Sequence, residues 1–172
     1  GQSIDFFLNS PKWIFAADLD GDDDLDPVVG DYGSGQVLWY ENNGSGSFGS
    51  EQVITAQAPG VSGATAADLD GDGDLDVLSA SETDDTVAWY ENEDGNGSFG
   101  ARQVISNTAL GANGVVAGDL DGDGDNDVVS ASDNDDEVVW YENDGNGSFE
   151  AGDIIGASAD EPKNVHLPDV DA

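Results

Sequence analysis

Aspartate occupies every odd position of three nine-residue runs. They are Asp18, Asp20, Asp22, Asp24 and Asp26; Asp68, Asp70, Asp72, Asp74 and Asp76; and Asp119, Asp121, Asp123, Asp125 and Asp127. Carboxylates so closely spaced repel one another unless a cation lies among them. The chain cannot supply that cation, because Lys12, Arg102 and Lys163 are its only basic side chains apart from the lone His166. Oxygen-only donors at alternate positions of a tight, glycine-containing loop suit a hard cation, and calcium above all. About three calcium sites are expected. In the second run the side chains of Asp68, Asp70, Asp72 and Asp76 stand at positions one, three, five and nine. Asp74, at position seven, would offer its main-chain carbonyl. Gly73, at position six, permits the sharp turn. Asp23 replaces that glycine in the first run, which predicts a strained and weaker loop. Asn126 replaces leucine at position eight of the third run, which is not a ligand position.

Other calcium loops fit less well. An EF-hand needs flanking helices and glutamate at position twelve, where this chain has Ser79. Short glycine-rich tandem nonapeptides are absent, and the lack of cysteine excludes disulfide-built arrays.

Composition bounds the rest. The 172 residues carry a formal net charge of -35. That field excludes nucleic acid and anionic membrane surfaces as partners. No stretch is long and apolar enough for membrane insertion. The 37% of hydrophobic residues, grouped in short runs with regularly placed aromatics, argues for a folded chain and not a disordered acidic tail. Without disulfides, calcium is the available staple, and calcium is abundant outside cells. An extracellular or cell-surface location is expected. No signal peptide opens at Gly1, and the chain reads as a mature or excised segment.

The elements that position the loops recur with the same period. The aspartate runs begin at 18, 68 and 119, and Trp-Tyr-Glu-Asn begins at 39, 89 and 140. A period of about fifty residues marks a repeat array. In the second repeat, Ala64–Ala67 leads into the loop and Asp76–Ala80 leaves it. Thr86–Glu91 follows, then a Gly/Asn turn over 92–97, then Phe99–Ile105. Short β-rich runs bounded by such turns are strands and hairpins. No window has a capped helical period. The expected fold is all-β, made of β-propeller blades of four antiparallel strands. The whole of 1–172 reads as one array: a leading outer strand at 1–12, repeats at 13–62, 63–112 and 113–156, and the start of a further repeat at 157–172.

Asp-Leu-Asp-Gly-Asp-Gly-Asp-Leu-Asp-Val, followed by Val-x-Trp-Tyr-Glu-Asn and Gly-x-Gly-Ser-Phe, resembles the FG-GAP/VCBS repeat family. That family includes the blades of integrin α-subunit propellers. The resemblance covers nearly the whole chain. It implies propeller blades with calcium in the loop between the first two strands of each. Three repeats are fewer than the six to eight blades such rings use, so neighbouring repeats or other copies of the chain are expected partners.

Trp39, Trp89 and Trp140 are expected to pack between blades, with sugar stacking as the rival role. Trp13 has no counterpart and is read as covering an end surface. His166 is read as structural or solvated. Asn43, Asn96 and Asn146 each open an Asn-Gly-Ser glycosylation pattern, although Asn-Gly is also what a hairpin turn requires. No nucleophile–base pair and no histidine cluster stands out, so the chain is not expected to be an enzyme. The function that follows is an extracellular calcium-binding repeat segment, serving adhesion or as a structural subunit of a surface or filamentous assembly. The alternative is a carbohydrate-binding or accessory region of a secreted enzyme. Carbohydrate or a surface protein would then be the partner.

Overall fold

The computed structural model describes residues 8–157 together with Pro162 and Val165. Most of the leading strand expected at 1–12, most of the further repeat expected at 157–172, Lys163 and His166 lie outside the described residues. Three four-stranded antiparallel sheets follow one another along the chain. The first comprises β1 (Pro11–Ala17), β2 (Asp26–Asp31), β3 (Gln36–Trp39) and β4 (Gln52–Thr55). The second comprises β5 (Val61–Ala67), β6 (Asp76–Ser81), β7 (Thr86–Tyr90) and β8 (Gln103–Ser106). The third comprises β9 (Ala112–Gly118), β10 (Asp127–Ser132), β11 (Glu137–Tyr141) and β12 (Asp153–Ala157). Strands pair in sequence order within each sheet, and the innermost strands β1, β5 and β9 are neighbours in that order. No helix occurs among the described residues. These are three β-propeller blades.

Their edges differ from expectation at four strands. β1 begins at Pro11, inside the stretch read as a leading outer strand. β5 begins at Val61 and β9 at Ala112, so the inner strands start before the repeat boundaries drawn at 63 and 113. The fourth strand of the second blade is Gln103–Ser106 and not Phe99–Ile105. Phe99 makes only an isolated bridge to Asn92, closed by Gly100 N–H to the Glu91 carbonyl at 2.8 Å and Glu93 N–H to the Ser98 carbonyl at 2.9 Å.

The blades pack face to face through side chains that the strand pattern dictates. β6 and β10 are buried on both faces, which explains their unbroken run of small and apolar residues. Trp39 of the first blade clusters with Val77 and Tyr90 of the second, and Trp89 with Val128, Val139 and Tyr141 of the third. Both indoles are almost wholly buried, so they are inter-blade packing and not sugar platforms. Trp140 is half-buried. Trp13 lies in β1 and lines two surface clefts, one shared with Leu8 and Val29, the other with Phe15 and Val115.

Candidate metal centre

Each aspartate run connects the first two strands of a blade, and its side chains fold the loop before any ion is considered. In the second run Asp68 accepts the Gly71 N–H at 2.8 Å and the Gly73 N–H at 3.1 Å. Asp70 accepts from Asp72 N–H at 3.3 Å, and Asp72 from Asp74 N–H at 2.9 Å. The first and third runs repeat the pattern. Asp18 caps Gly21 and Asp23, and Asp119 caps Gly122 and Gly124. Position six takes a positive φ in all three: 72° at Asp23, 97° at Gly73 and 102° at Gly124. An L-residue pays for that region with a Cβ clash, and Asp23 bears that strain.

The carboxylates converge in each blade. Asp18, Asp20 and Asp22 bring one oxygen each within 4.8 Å of the others, as do Asp68, Asp70 and Asp76, and Asp119, Asp121 and Asp123. Asp72 falls outside the triad of its loop, and Asp26 and Asp127 outside theirs. The position-seven aspartates join none of the triads. Asp24, Asp74 and Asp125 turn their carboxylates toward Gly44, Gly95 and Gly145 of the Gly/Asn hairpins.

Position nine is the anchor. Asp76 is buried, and its oxygens accept N–H groups from Leu69 and Asn92, both at 2.9 Å. Asp26 takes Leu19 and Asn42 in the same way, and Asp127 takes Leu120 and Asn143. Burial pushes the Asp76 carboxyl up to about 6, against the pull of those two hydrogen bonds and with the charges of Asp70 and Asp72 adding to the rise. Burial likewise raises Asp20, helped by Asp26 and Asp22, and raises Asp26 and Asp70.

Oxygen-only donors suit calcium, and the fit has a specific mark. Asp20 Oδ1 is buried with no hydrogen-bond partner. A buried polar oxygen without a partner is costly, and a cation in the triad removes the cost. The two ion pairs among the described residues, Lys12–Glu82 at 3.4 Å and Arg102–Asp84 at 3.0 Å, involve no aspartate of the runs.

One set of residues was not foreseen as part of this centre. The asparagine of Trp-Tyr-Glu-Asn closes its own loop and grips the preceding one. Asn92 Nδ2 donates to Leu19 O of the first run at 3.0 Å, and Asn143 Nδ2 donates to Leu69 O of the second at 2.8 Å. Asn42 donates to Leu25 O within its own loop. The constant sixteen-residue step from the position-nine aspartate to this asparagine was the available signal.

The three glycosylation patterns all lie in exposed hairpin turns but not in one structural position. Asn43 Oδ1 accepts from Ser45 and Ser47, the capping role that Asp94 and Asp144 play in the other blades. Asn96 and Asn146 sit two residues further on, and each donates its Nδ2 to the carbonyl of that capping aspartate.

A family model described as FG-GAP-like repeat matches residues 18–79, 68–130 and 119–172. The chain belongs to the FG-GAP-like repeat family. No curated protein matches it. Among solved structures it is similar to a lectin of Agrocybe aegerita, described as recognising non-reducing terminal N-acetylglucosamine, with 25% identity and a TM-score of 0.65. The match covers 88% of this chain and 40% of the lectin chain, so this chain spans less than half of that protein. No helix among the described residues is long and apolar enough to cross a membrane.

Proposed function

We propose that this chain is a calcium-stabilised segment of an extracellular β-propeller, with a non-catalytic role in adhesion or as a structural subunit of a surface assembly. The observation that carries it is the aspartate triad, repeated at the same point of all three blades. Asp18, Asp20 and Asp22, Asp68, Asp70 and Asp76, and Asp119, Asp121 and Asp123 would hold the ions, with the remaining position-five and position-nine aspartates beside them. Bound calcium would offset part of the charge of each loop and fix the first two strands of each blade. Calcium outside cells is plentiful enough to fill sites with dissociation constants of roughly 0.1–1 mM. Titration calorimetry on the metal-free chain tests the reading: about three calcium ions bound per chain are expected, and no binding at millimolar calcium would defeat it. Sedimentation with and without calcium tests the assembly role, which expects association only with the ion.

A second reading is carbohydrate recognition, and the likeness to the N-acetylglucosamine lectin favours it. A glycan array probed in calcium separates the two. Selective retention on a sugar supports recognition, and self-association without any sugar supports the structural role.

A further inference from the structure

The second and third blades are built alike but differ just before the outer strand. The second carries Arg102 there, largely buried and bound to Asp84 at 3.0 Å, and the third carries Gly152. A side chain at Gly152 would collide with Val139 and Tyr141, where the second blade has Ala88 and Tyr90. Gly152 has no positive φ, so packing and not chain geometry calls for the glycine. Beside it opens a cavity of about 380 Å³, bounded by Ser106, Asn107 and Thr108 on one side and Glu137, Tyr141 and Gly152 on the other.

The lining combines free polar groups with an apolar wall. Neither the Asn107 amide nor the Glu137 carboxylate has a hydrogen-bond partner among the described residues. The Ser106 and Thr108 hydroxyls lie 3.3 Å apart, and Thr108 N–H donates to Ser106 Oγ at 3.3 Å. The Tyr141 hydroxyl is engaged by Ser130 at 3.3 Å, so the tyrosine adds chiefly its ring. Ile105, Val139 and Ile154 complete the apolar wall, and Ile154 is 56% exposed. Between the first two blades Ala56 stands at the position of Asn107 and Thr86 at that of Glu137. The carboxylate and the asparagine thus belong to the second interface alone.

We propose that this cavity binds one neutral pyranose residue of a carbohydrate, held through adjacent hydroxyls by Glu137 and Asn107. The inference rests on the carbohydrate reading above and gives that reading a place on the chain. A sugar hydroxyl both donates and accepts. A carboxylate accepts from two donors, and an amide offers an acceptor and two donors, so the pair matches a vicinal diol. The Ser106 and Thr108 hydroxyls can take either role. One carboxylate among an amide and two hydroxyls is a mixed donor and acceptor set, not a trap for a cation. The C–H face of the ring finds its apolar partner in Val139 and Ile154. Charge narrows the class further. Glu137 stands there with no cation among the lining residues, and it would repel the carboxylate of a uronic or sialic acid. The volume lies at the low end of small-ligand pockets, which suits one ring. Asn107 and Gly152 are exposed, so the rest of a glycan can remain in water.

NMR titration of the whole chain in saturating calcium tests this. The probes are methyl glucoside, methyl galactoside, N-acetylglucosamine and glucuronic acid, with glycerol as the unspecific polyol. The expected result is saturable binding of at least one neutral sugar, with shifts centred on Asn107, Glu137 and Gly152, and weaker binding of glucuronic acid. Glu137→Gln should weaken the neutral sugar about fivefold, by loss of a charge-assisted hydrogen bond, and narrow its margin over glucuronic acid. A merely structural role for Glu137 would not move that preference. Asn107→Ala copies Ala56 and should weaken binding by a similar factor. Glu93→Gln, an equal change of charge on the hairpin of another blade, should leave binding unaltered. The double variant Val139→Ala/Gly152→Arg copies the second blade into the third and should abolish binding while calcium affinity stays the same. Should that variant fail to fold, Glu137→Gln and Asn107→Ala decide alone. Three outcomes would overturn the site and leave the carbohydrate reading standing: shifts centred elsewhere, glucuronic acid bound as tightly as the neutral sugars, or parental affinity in Glu137→Gln and Asn107→Ala. Sugar shifts no different from those of glycerol would overturn the site as well, and the glycan array would then decide the broader reading by itself.

Discussion

Asn126 Nδ2 donates to the main-chain carbonyl of Asp68 at 2.9 Å. The third aspartate loop thereby holds the first residue of the second. Asn143 Nδ2 and Gly147 N–H fasten the next carbonyl, Leu69 O, at 2.8 and 3.1 Å. Between the first two loops the corresponding link is Asn92 to Leu19 O, and Leu75 stands where Asn126 would. The second and third loops are therefore tied more firmly than the first and second. Asn126→Leu should remove about 1 kcal/mol of stability in calcium and weaken calcium binding at the second loop more than at the first. Urea unfolding and site-resolved calcium titration measure the two effects. A variant as stable as the parent would show that the bond contributes nothing.

Calcium removal should be felt by the whole fold. A site held at about a hundredfold its dissociation constant adds about 2.7 kcal/mol. At about 2–4 °C per kcal/mol for a chain of this length, each emptied loop lowers the melting temperature by roughly 5–10 °C. The loops are also tied into the blade interfaces through Asn92 and Asn143, so their loss should loosen Trp39 and Trp89. Excess EDTA should produce a lower melting temperature and a red shift of tryptophan emission. Superimposable melting curves with and without chelator would refute a stabilising ion.

Asp23 carries strain that its counterparts do not. Asp23→Gly should relieve about 1 kcal/mol and tighten the first site about fivefold. The reverse change isolates the cause. An added methyl at Gly73 meets no atom within 4 Å, yet φ there is 97°. Gly73→Ala should thus weaken the second site by a similar factor through backbone strain alone. Calorimetry on the two variants reads both. Three equivalent sites in the parent chain would remove the basis of this argument.

The period made the blades and the loops legible before any coordinates. Trp39 and Trp89 followed from it too, since a large side chain repeated in a β-run has little to do but pack against the next sheet. Two things were not legible. Strand ends were blurred because small residues such as Ser62 and Ala112 extend an inner strand without marking its start. The clamp made by Asn92 and Asn143 joins residues more than seventy positions apart, and no local pattern encodes that contact.

Acidity should act on the metal-free chain in the opposite sense to the metal-bound one. The folded-state carboxyl of Asp76 titrates at about 6, above its ordinary value of 3.8, chiefly because it is buried. Asp20, Asp26 and Asp70 are raised as well. Between the ordinary and the raised values the folded chain binds more protons than the unfolded one, so stability falls as pH rises. In EDTA the melting temperature should accordingly climb as pH drops from about 7 toward 4. Asp31 sets the lower bound. Burial alone would raise it, but hydrogen bonds from Ser34, Asn9 and Ser10 outweigh that and hold it below its ordinary value. Its contribution disappears only in stronger acid. In millimolar calcium the trend should reverse, because protons compete with the ion for the same oxygens and stability declines as pH is lowered. Melting curves at about pH 5 and 7.5, with EDTA and with calcium, give the four points needed. The same ordering in both conditions would mean that no cation and proton share these loops.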